Sequence, residues 1–517
     1  KKTAKTDLLR VIQSAFKIAS DKKESGDTGN DFDSSRRKFI GRSLFAGAAL
    51  AANKAMANST YINRFAAKDQ PFKIGILGAG VAGLHAAYIL QKANIEASVY
   101  EASGRTGGRM YTAKNMLGNG ITTELGGEFI DSNHEDILNL AKEFGLELLD
   151  MELDKGLIKQ VFYFAGKRYV ATDLVTALQP FVTAIRQDID GLPESISYHN
   201  YGEAAKWDAL SIVDYLKLKG INGWLFEMLV VAFTTEYGLD ADEQSALNLL
   251  WLLIPEKVGE ELFGESDERY KIKGGNQRVV DELAKRIGEI KTNHAVTMIR
   301  SKGNGYTVSF NNNVDKYFDY LICSIPFSVL RNINLQIEGM SEVKKKAIAE
   351  LGYGRNAKMF AGFKTRYWRN AAASGQLFSD MPLQLGWDSS QMQKGKTGGY
   401  TFYTGGHLSD KMIDATVPIK AKEYVTQLEK VFPGAVKNYN GKNAIFFWPT
   451  HPHTMGSYAC YKPGQWTTIA GAEIEPVENL FFAGEHCSTD FQGYMNGGAE
   501  TGRRAAEELI KRIKNIV

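Results

Sequence analysis

Residues 72–109, FKIGILGAGVAGLHAAYILQKANIEASVYEASGRTGGR, constrain the fold of this chain more than any other stretch. They open with an apolar run, 72–77, short and branched enough to be a buried strand. Gly78, Gly80 and Gly83 follow in G-x-G-x-x-G spacing, enclosing Val81 and Ala82, and lead into an apolar-periodic helix through Leu84, Ala87, Tyr88 and Leu90. That order suits a dinucleotide. The first glycine makes the tight turn, the second lets backbone approach a pyrophosphate, and the third lets helix pack on strand. The helix N-terminus turns its unpaired N–H groups toward the phosphates. A second strand over 96–100 ends at Glu101, where a carboxylate can accept from both ribose hydroxyls and repel a 2′-phosphate, so NADP is disfavoured.

The continuation separates a flavin from a nicotinamide. Glu101-Ala102-Ser103-Gly104-Arg105-Thr106-Gly107-Gly108-Arg109 offers two forked guanidinium donors for phosphate oxygens and a Gly-Gly pair for close backbone passage. Here the chain resembles the FAD-dependent amine oxidase family, in which E-A-x-x-R-x-G-G-R follows the first Rossmann unit. The resemblance runs over about residues 72–513 with its motifs in family order. It implies an α/β protein: a Rossmann-like FAD-binding domain of the glutathione-reductase type, interleaved with an α+β substrate domain. On that reading the FAD-binding domain takes 72–150, 267–330 and 451–517, the last with the terminal helix. The substrate domain takes a largely helical 151–266 and the sheet and helices of 331–450. A linker spans 58–71.

The family's remaining motifs carry over position by position. Gly126, Gly127 and Glu128, within Leu125-Gly126-Gly127-Glu128-Phe129, match the L-G-G segment beneath the flavin. Asp131 and Ser132 just before Glu135 read as a helix cap, while Asp131 and Glu135 could also attract a cationic amine. Val296 falls where a strand lies beside the adenine. Lys358, ten residues before Trp368, matches the lysine that in relatives reaches flavin N5 through a water. Trp448 and Gly456-Ser457-Tyr458 match the W…G-S-Y region; Ser457 stands where covalent members carry the flavin-linking cysteine, so FAD is expected without a covalent bond, although Cys460 lies nearby. Gly484 and Glu485 match the last cofactor strand, and Gly493, Tyr494 and Met495 open a helix aimed at flavin N1 and O2. Tyr458 and Tyr494 match two tyrosines that wall the flavin face and align an amine. The implied catalytic residues are Lys358, Tyr458 and Tyr494.

Between these motifs the patterns are plainer. Helices are expected over 173–187, 211–217, 225–233, 245–253 and 279–287, and strands over 290–296, 306–310 and 320–326. Tyr163, Trp207, Trp224, Phe233, Glu236, Tyr237 and Trp251 could line an entrance, but aromatic residues dominate cores and are read as core here.

Residues 1–57 look unlike the rest. The polar 1–33 holds one short amphipathic stretch near 8–18 and is expected to lie outside the core. Ser35-Arg36-Arg37-Lys38-Phe39-Ile40, an Ala-rich run over 43–52 and Ala55-Met56-Ala57 read as a Tat export signal, which implies the Tat machinery as partner and a periplasmic or secreted bacterial protein. Twelve of the chain's 62 basic and six of its 59 acidic residues lie in 1–57, so removal leaves 50 against 53. No basic stripe then suggests nucleic acid. No run of eighteen apolar residues suggests a stable membrane span. Cys323, Cys460 and Cys487 show neither metal nor disulfide spacing, and His451 with His453 has no third ligand in view. The sequence is compatible with an oligomer.

The resemblance implies oxidation of an amine by FAD, with O2 as acceptor, to an imine and H2O2; the imine hydrolyses to an aldehyde or ketone. An L-amino-acid oxidase is the alternative, but such enzymes usually carry an arginine where Phe129 stands; Arg269 could supply the cation instead. A FAD-dependent dehydrogenase or desaturase, and a chain keeping FAD only for structure, are weaker alternatives, because Lys358 and both tyrosines are present.

Overall fold

The computed structural model describes residues 7–24, 72–253 and 267–515. The signal string over 35–57 lies outside them. The apolar run becomes the strand Ile74–Leu77, every residue buried, at the centre of a five-stranded parallel sheet. Its order is Leu480–Phe482, Tyr320–Cys323, Ile74–Leu77, Ser98–Tyr100, Ile290–Lys291. Pairs such as Ile76 with Ile322 and Ile322 with Phe481 fix the register. Strands buried on both faces must be apolar throughout, which is why Ile74–Leu77, Tyr320–Cys323 and Leu480–Phe482 read as uninterrupted hydrophobic runs. The sheet therefore gathers segments from both halves of the chain.

Two helices cover the sheet where the cofactor segments meet. Val81–Lys92 follows the first strand, and the terminal helix Met495–Lys514 lies along it. The approach is close: a Cβ at Gly502 would stand 2.1 Å from the Ala82 carbonyl oxygen. A separate four-stranded sheet, ordered Asp315–Phe318, Gly305–Phe310, Val296–Lys302, Asn334–Gln336, flanks this domain. The single strand expected over 290–296 is thus two strands in different sheets. Asn293, with φ of 57°, turns the chain between them.

The second domain is a seven-stranded sheet, ordered Tyr439–Phe447, Ala357–Phe363, Gly398–Thr404, Leu385–Asp388, Ala373–Ser379, Ile158–Phe164, Lys167–Tyr169. Its last two strands come from 151–266, so that stretch is less purely helical than its periodicity suggests. The helix expected over 173–187 is also two, Ala171–Leu178 and Val182–Asp190. Pro180 separates them: it lacks an N–H, and its ring clashes with the preceding turn. Gly223–Tyr237 is longer than expected and is buried at every position from Val231 on.

The helix Asp7–Glu24 departs most from expectation. Val11, Ile12, Ala15, Phe16 and Ala19 form one buried stripe joined to the core of the helical region, and Gln13 Nε2 donates to the Leu252 carbonyl at 2.5 Å. Burial here is decided by a groove between distant helices, which a short stripe flanked by charges does not announce. Among the described residues no helix is long and apolar enough to cross a membrane.

Candidate active site

One cavity is lined at one end by residues that follow the central parallel strands, and at the other by residues of the seven-stranded sheet. At the first end lie Gly78, Gly80, Val81, Ala82, Glu101, Ala102, Arg105, Gly108 and Arg109. The helix Val81–Lys92 starts from Gly80 with no side-chain cap and no acidic residue in its first turn, so its leading N–H groups are open to an anion. A Cβ at Gly80 would enter the cavity, its nearest neighbour the Gly108 Cα at 4.0 Å. At Gly83, which does not line the cavity, a Cβ would lie 2.0 Å from the Gly78 carbonyl oxygen, the tight helix–strand contact that the third glycine permits.

Glu101 is set at the wall by hydrogen bonds. Its Oε2 accepts from the Ala79 N–H, and its Oε1 from the N–H and hydroxyl of Ser103, each at 2.8 Å. The arginines are more occupied within the protein than a free phosphate clamp requires. Arg105 donates to the Gly108 carbonyl at 2.6 Å and lies 4.0 Å over the Tyr111 ring; Arg109 donates to the Ser457 carbonyl at 2.7 Å and to Glu485 at 2.8 Å. The other oxygen of Glu485 accepts the Gly493 N–H at 2.8 Å, linking the first Rossmann unit to the last cofactor segment.

Further along, Gly126, Gly127, Glu128, Val296, Trp448, Gly484, Gly493, Tyr494 and Met495 join the lining. The terminal helix starts from Tyr494, again with no side-chain cap and no acid in its first turn. Two uncapped helix N-termini thus open onto one cavity, as a ligand with negative charge at both ends requires. Glycine floor, ribose-side carboxylate, helix N-termini and flat apolar walls fit FAD. Every residue that the family motifs match to a cofactor or catalytic position lines this cavity except Gly83.

The middle of the cavity holds a charged cluster. Lys358, on the buried strand Ala357–Phe363, donates to the carbonyls of Glu124 at 3.1 Å and Gly126 at 2.9 Å, and to Glu128 Oε2 at 2.8 Å. Glu128 Oε1 accepts from Lys271 at 2.7 Å. Burial opposes ionisation of Glu128, but the two ammonium groups beside it hold its carboxyl down to about 2. Burial instead pushes Glu124 up to about 7.

Aromatic rings enclose the far end. Phe129 and Trp387 have centroids 5.8 Å apart, and Trp387 and Tyr403 5.5 Å apart. The Tyr403 and Tyr458 hydroxyls are 2.7 Å apart, and Tyr458 also donates to the Thr235 carbonyl at 3.3 Å. Burial pushes the Tyr458 phenol well above its ordinary range. Tyr494 packs edge-on to His134 at 4.8 Å. Asp131 and Glu268 are the carboxylates here, joined by a 2.9 Å bond from the Glu268 N–H to Asp131. Burial keeps His134 neutral, with its pKa down at about 3, and its Nε2 faces Asp131 at 3.2 Å. A second recess shares Phe129, Glu268, Gln376 and Trp387 with this end and adds Glu152, Asp154 and Asp267.

Several expectations change. The helix Glu135–Glu143 has His134 as its N-cap with no side-chain cap bond; Asp131 and Ser132 turn to Glu268 and Asp267 instead, so no capping box forms. Arg269 is paired with Asp150 at 2.8 Å and Glu152 at 3.7 Å and does not line the cavity. Ser457 lines the cavity, whereas Cys460 is fully buried and does not. None of Tyr163, Trp207, Trp224, Phe233, Glu236, Tyr237 and Trp251 lines it. Sequence reasoning missed Lys271, Phe378, Trp387 and Tyr403; only apolar alternation in their strands pointed to them.

Comparison with known proteins accords with this geometry. The family described as flavin containing amine oxidoreductase matches residues 81–510. Polyamine oxidase 4 of Oryza sativa subsp. japonica is 25% identical over 466 residues, covering 86% of this chain and 89% of its own. A putative L-amino-acid oxidase of Bacillus subtilis (strain 168) is 24% identical over 473 residues, covering 86% and 96%. Among solved structures, cyclohexylamine oxidase from Brevibacterium oxydans IH-35A superposes with a TM-score of 0.76 at 20% identity, covering 86% of this chain and 99% of that one.

Proposed function

Since the chain belongs to the flavin-containing amine oxidoreductase family, we propose that its substrate is an amine with no carboxylate on the reacting carbon. The observation that carries this reading is the far end of the cavity. Its walls are Phe129, Trp387, Tyr403, Tyr458 and Tyr494 with the carboxylates Asp131 and Glu268. Among the described residues the arginines lining the cavity are Arg105 and Arg109, both engaged at the cofactor end. A substrate carboxylate would meet the like charge of Asp131 and Glu268 and no free guanidinium, and the two lysines nearby are bridged by Glu128.

When bound, FAD would supply the two-electron acceptor: the amine C–H leaves as hydride, the substrate becomes an iminium, and the two electrons with that hydrogen and one further proton from water reduce O2 to H2O2. The protein supplies binding and charge. The two uncapped helix N-termini favour negative charge on the cofactor, at its phosphates and beside Tyr494 and Met495. Tyr458 is held by Tyr403 and Thr235 and stays a neutral phenol, so it orients the amine and takes no proton from it. The amine must therefore give up its proton to water before it settles between the rings. Asp131, Glu268 and the adjoining carboxylates of the second recess draw the cationic form toward the entrance.

Anaerobic addition of an amine panel should bleach the yellow protein, and peroxide should form when air is admitted. Bleaching by L-amino acids but not by the amines made from them by decarboxylation would overturn the substrate reading. Lys358→Met should slow reoxidation by O2 about a hundredfold or more, in line with loss of a preorganised positive charge; an unchanged rate removes that role. Because Ser457 stands where a linking cysteine would, denaturation should release all the colour. Export through the Tat route is the reading that Arg36 and Arg37 support; replacing both with lysine should leave the protein in the cytoplasm.

A further inference from the structure

We propose that Glu128 and Lys271 are positioning residues that fix the charge beneath the cofactor ring, through a bridged Lys271–Glu128–Lys358 cluster that carries one net positive charge.

The three residues come from far apart. Glu128 follows the Gly126–Gly127 turn, Lys271 lies on the strand Tyr270–Ile272 and Lys358 on Ala357–Phe363. The two bridging bonds span 143 and 230 residues of chain. All three side chains are buried, at 4, 6 and 7% exposure for Glu128, Lys271 and Lys358. A carboxylate needs one cation for neutrality, and this one has two. Burying a second ammonium costs several kcal/mol unless something compensates it, so its presence calls for a partner carrying negative charge.

The geometry fixes what each lysine does. Lys358 has three acceptors, two carbonyls and Glu128 Oε2, and these match the three protons of an ammonium. It therefore sits as a charged group that donates and does not accept. Among the described residues Lys271 Nζ donates to Glu128 and lies 4.6 Å from the Phe129 ring centroid, while Lys358 Nζ lies 5.3 Å from that of Trp387. Both cations thus lie against rings that line the cavity. Glu128 is consequently engaged with protein on both oxygens. That assigns it to holding the lysines, in place of the cofactor contact expected from its position after the glycines.

At pH 6, where burial keeps the neighbouring Glu124 carboxyl protonated, the charges of the cluster can be counted in the FAD-loaded enzyme. Lys271→Met leaves Lys358 paired one-to-one with Glu128, a net charge of zero. Glu128→Gln leaves two cations and no anion. The double variant returns the cluster to one positive charge. A positive charge beside the ring favours its reduced form, so the midpoint potential should fall in Lys271→Met, rise in Glu128→Gln and return near the parent value in the double variant. The expected single-variant shift is at least tenfold in the oxidised-to-reduced equilibrium, about 30 mV for a two-electron couple. Lys271→Arg should hold the parent potential. Loss of a merely structural contact would move both single variants the same way and the double variant further. Shifts of one sign, or none, overturn the proposal. Where Lys271→Met fails to retain colour, Lys271→Gln keeps a donor for Glu128 and removes the charge. Colour of the purified protein reports FAD binding separately, so failure of the cofactor reading is distinguishable from failure of this one.

Discussion

The two ends of the cavity are built from different materials. The end that carries the glycine turn is mostly backbone: Gly78, Gly80, the start of Val81–Lys92 and the close pass of Gly107 and Gly108, with Glu101 fixed by Ala79 and Ser103 of the same strand–turn–helix–strand unit. The middle and far end are side chains from distant segments: Lys358, Trp387, Tyr403 and Tyr458, with Lys271 behind the lining on Glu128. A site made of backbone depends on which residues lack a side chain. A site made of side chains depends on pairing, and each charge in it must be accounted for.

The largest expected effect tests the first half of that contrast. In Gly83→Ala the new methyl meets the Gly78 carbonyl oxygen at 2.0 Å. Helix and strand must separate, and the variant should be recovered without FAD and with a lower unfolding midpoint, by about 1–3 kcal/mol or more. Gly80→Ala should do the opposite: its methyl enters the open cavity, so apoprotein stability should hold while FAD affinity falls. Equal stability losses in the two variants, measured by apoprotein denaturation, would erase the distinction.

A pH titration of stability sharpens the second half. Folded Glu124 keeps its proton up to about 7 against an ordinary value of 4.5, so stability falls as pH rises from about 4.5 to 7, and the cost is complete above that. Folded Glu128 is held at about 2, so its contribution is complete above 4.5 and is lost as pH falls toward 2. Glu124→Gln should therefore stabilise the protein at pH 8 by on the order of 2–3 kcal/mol and much less at pH 4.5. Chemical denaturation at both pH values checks this.

The smallest effect is at the aromatic wall. Tyr403→Phe removes the 2.7 Å bond to Tyr458, whose hydroxyl keeps the Thr235 carbonyl. About 1 kcal/mol of stability should go. On the proposed role of Tyr458 in aligning the amine, KM should rise more than kcat falls, since that ring loosens while the charged cluster is untouched; steady-state kinetics decide it.

The same contrast explains what the sequence disclosed. The spacing of Gly78, Gly80, Gly83 and Glu101 is short because one strand–turn–helix unit makes the contacts, so the parallel sheet and its ligand could be read directly. Lys358 was legible only through its family motif. Lys271 was not, because nothing near it in the chain signals a partner 143 residues away. Likewise Pro180 marked a break that apolar periodicity alone runs through, and Asp131 looked like a cap until tertiary partners at 267 and 268 claimed its neighbourhood.

The helix Asp7–Glu24 has a consequence for maturation. On the proposed Tat reading a signal peptidase would cut on the C-terminal side of this helix, yet Val11, Ile12, Phe16 and their neighbours are buried among helices of the main body. Cleavage there would sever the covalent link without undoing the packing. Either the mature enzyme would travel as two chains, a small peptide wedged into a large one, or the peptide would leave and bare an oily furrow along the helical domain.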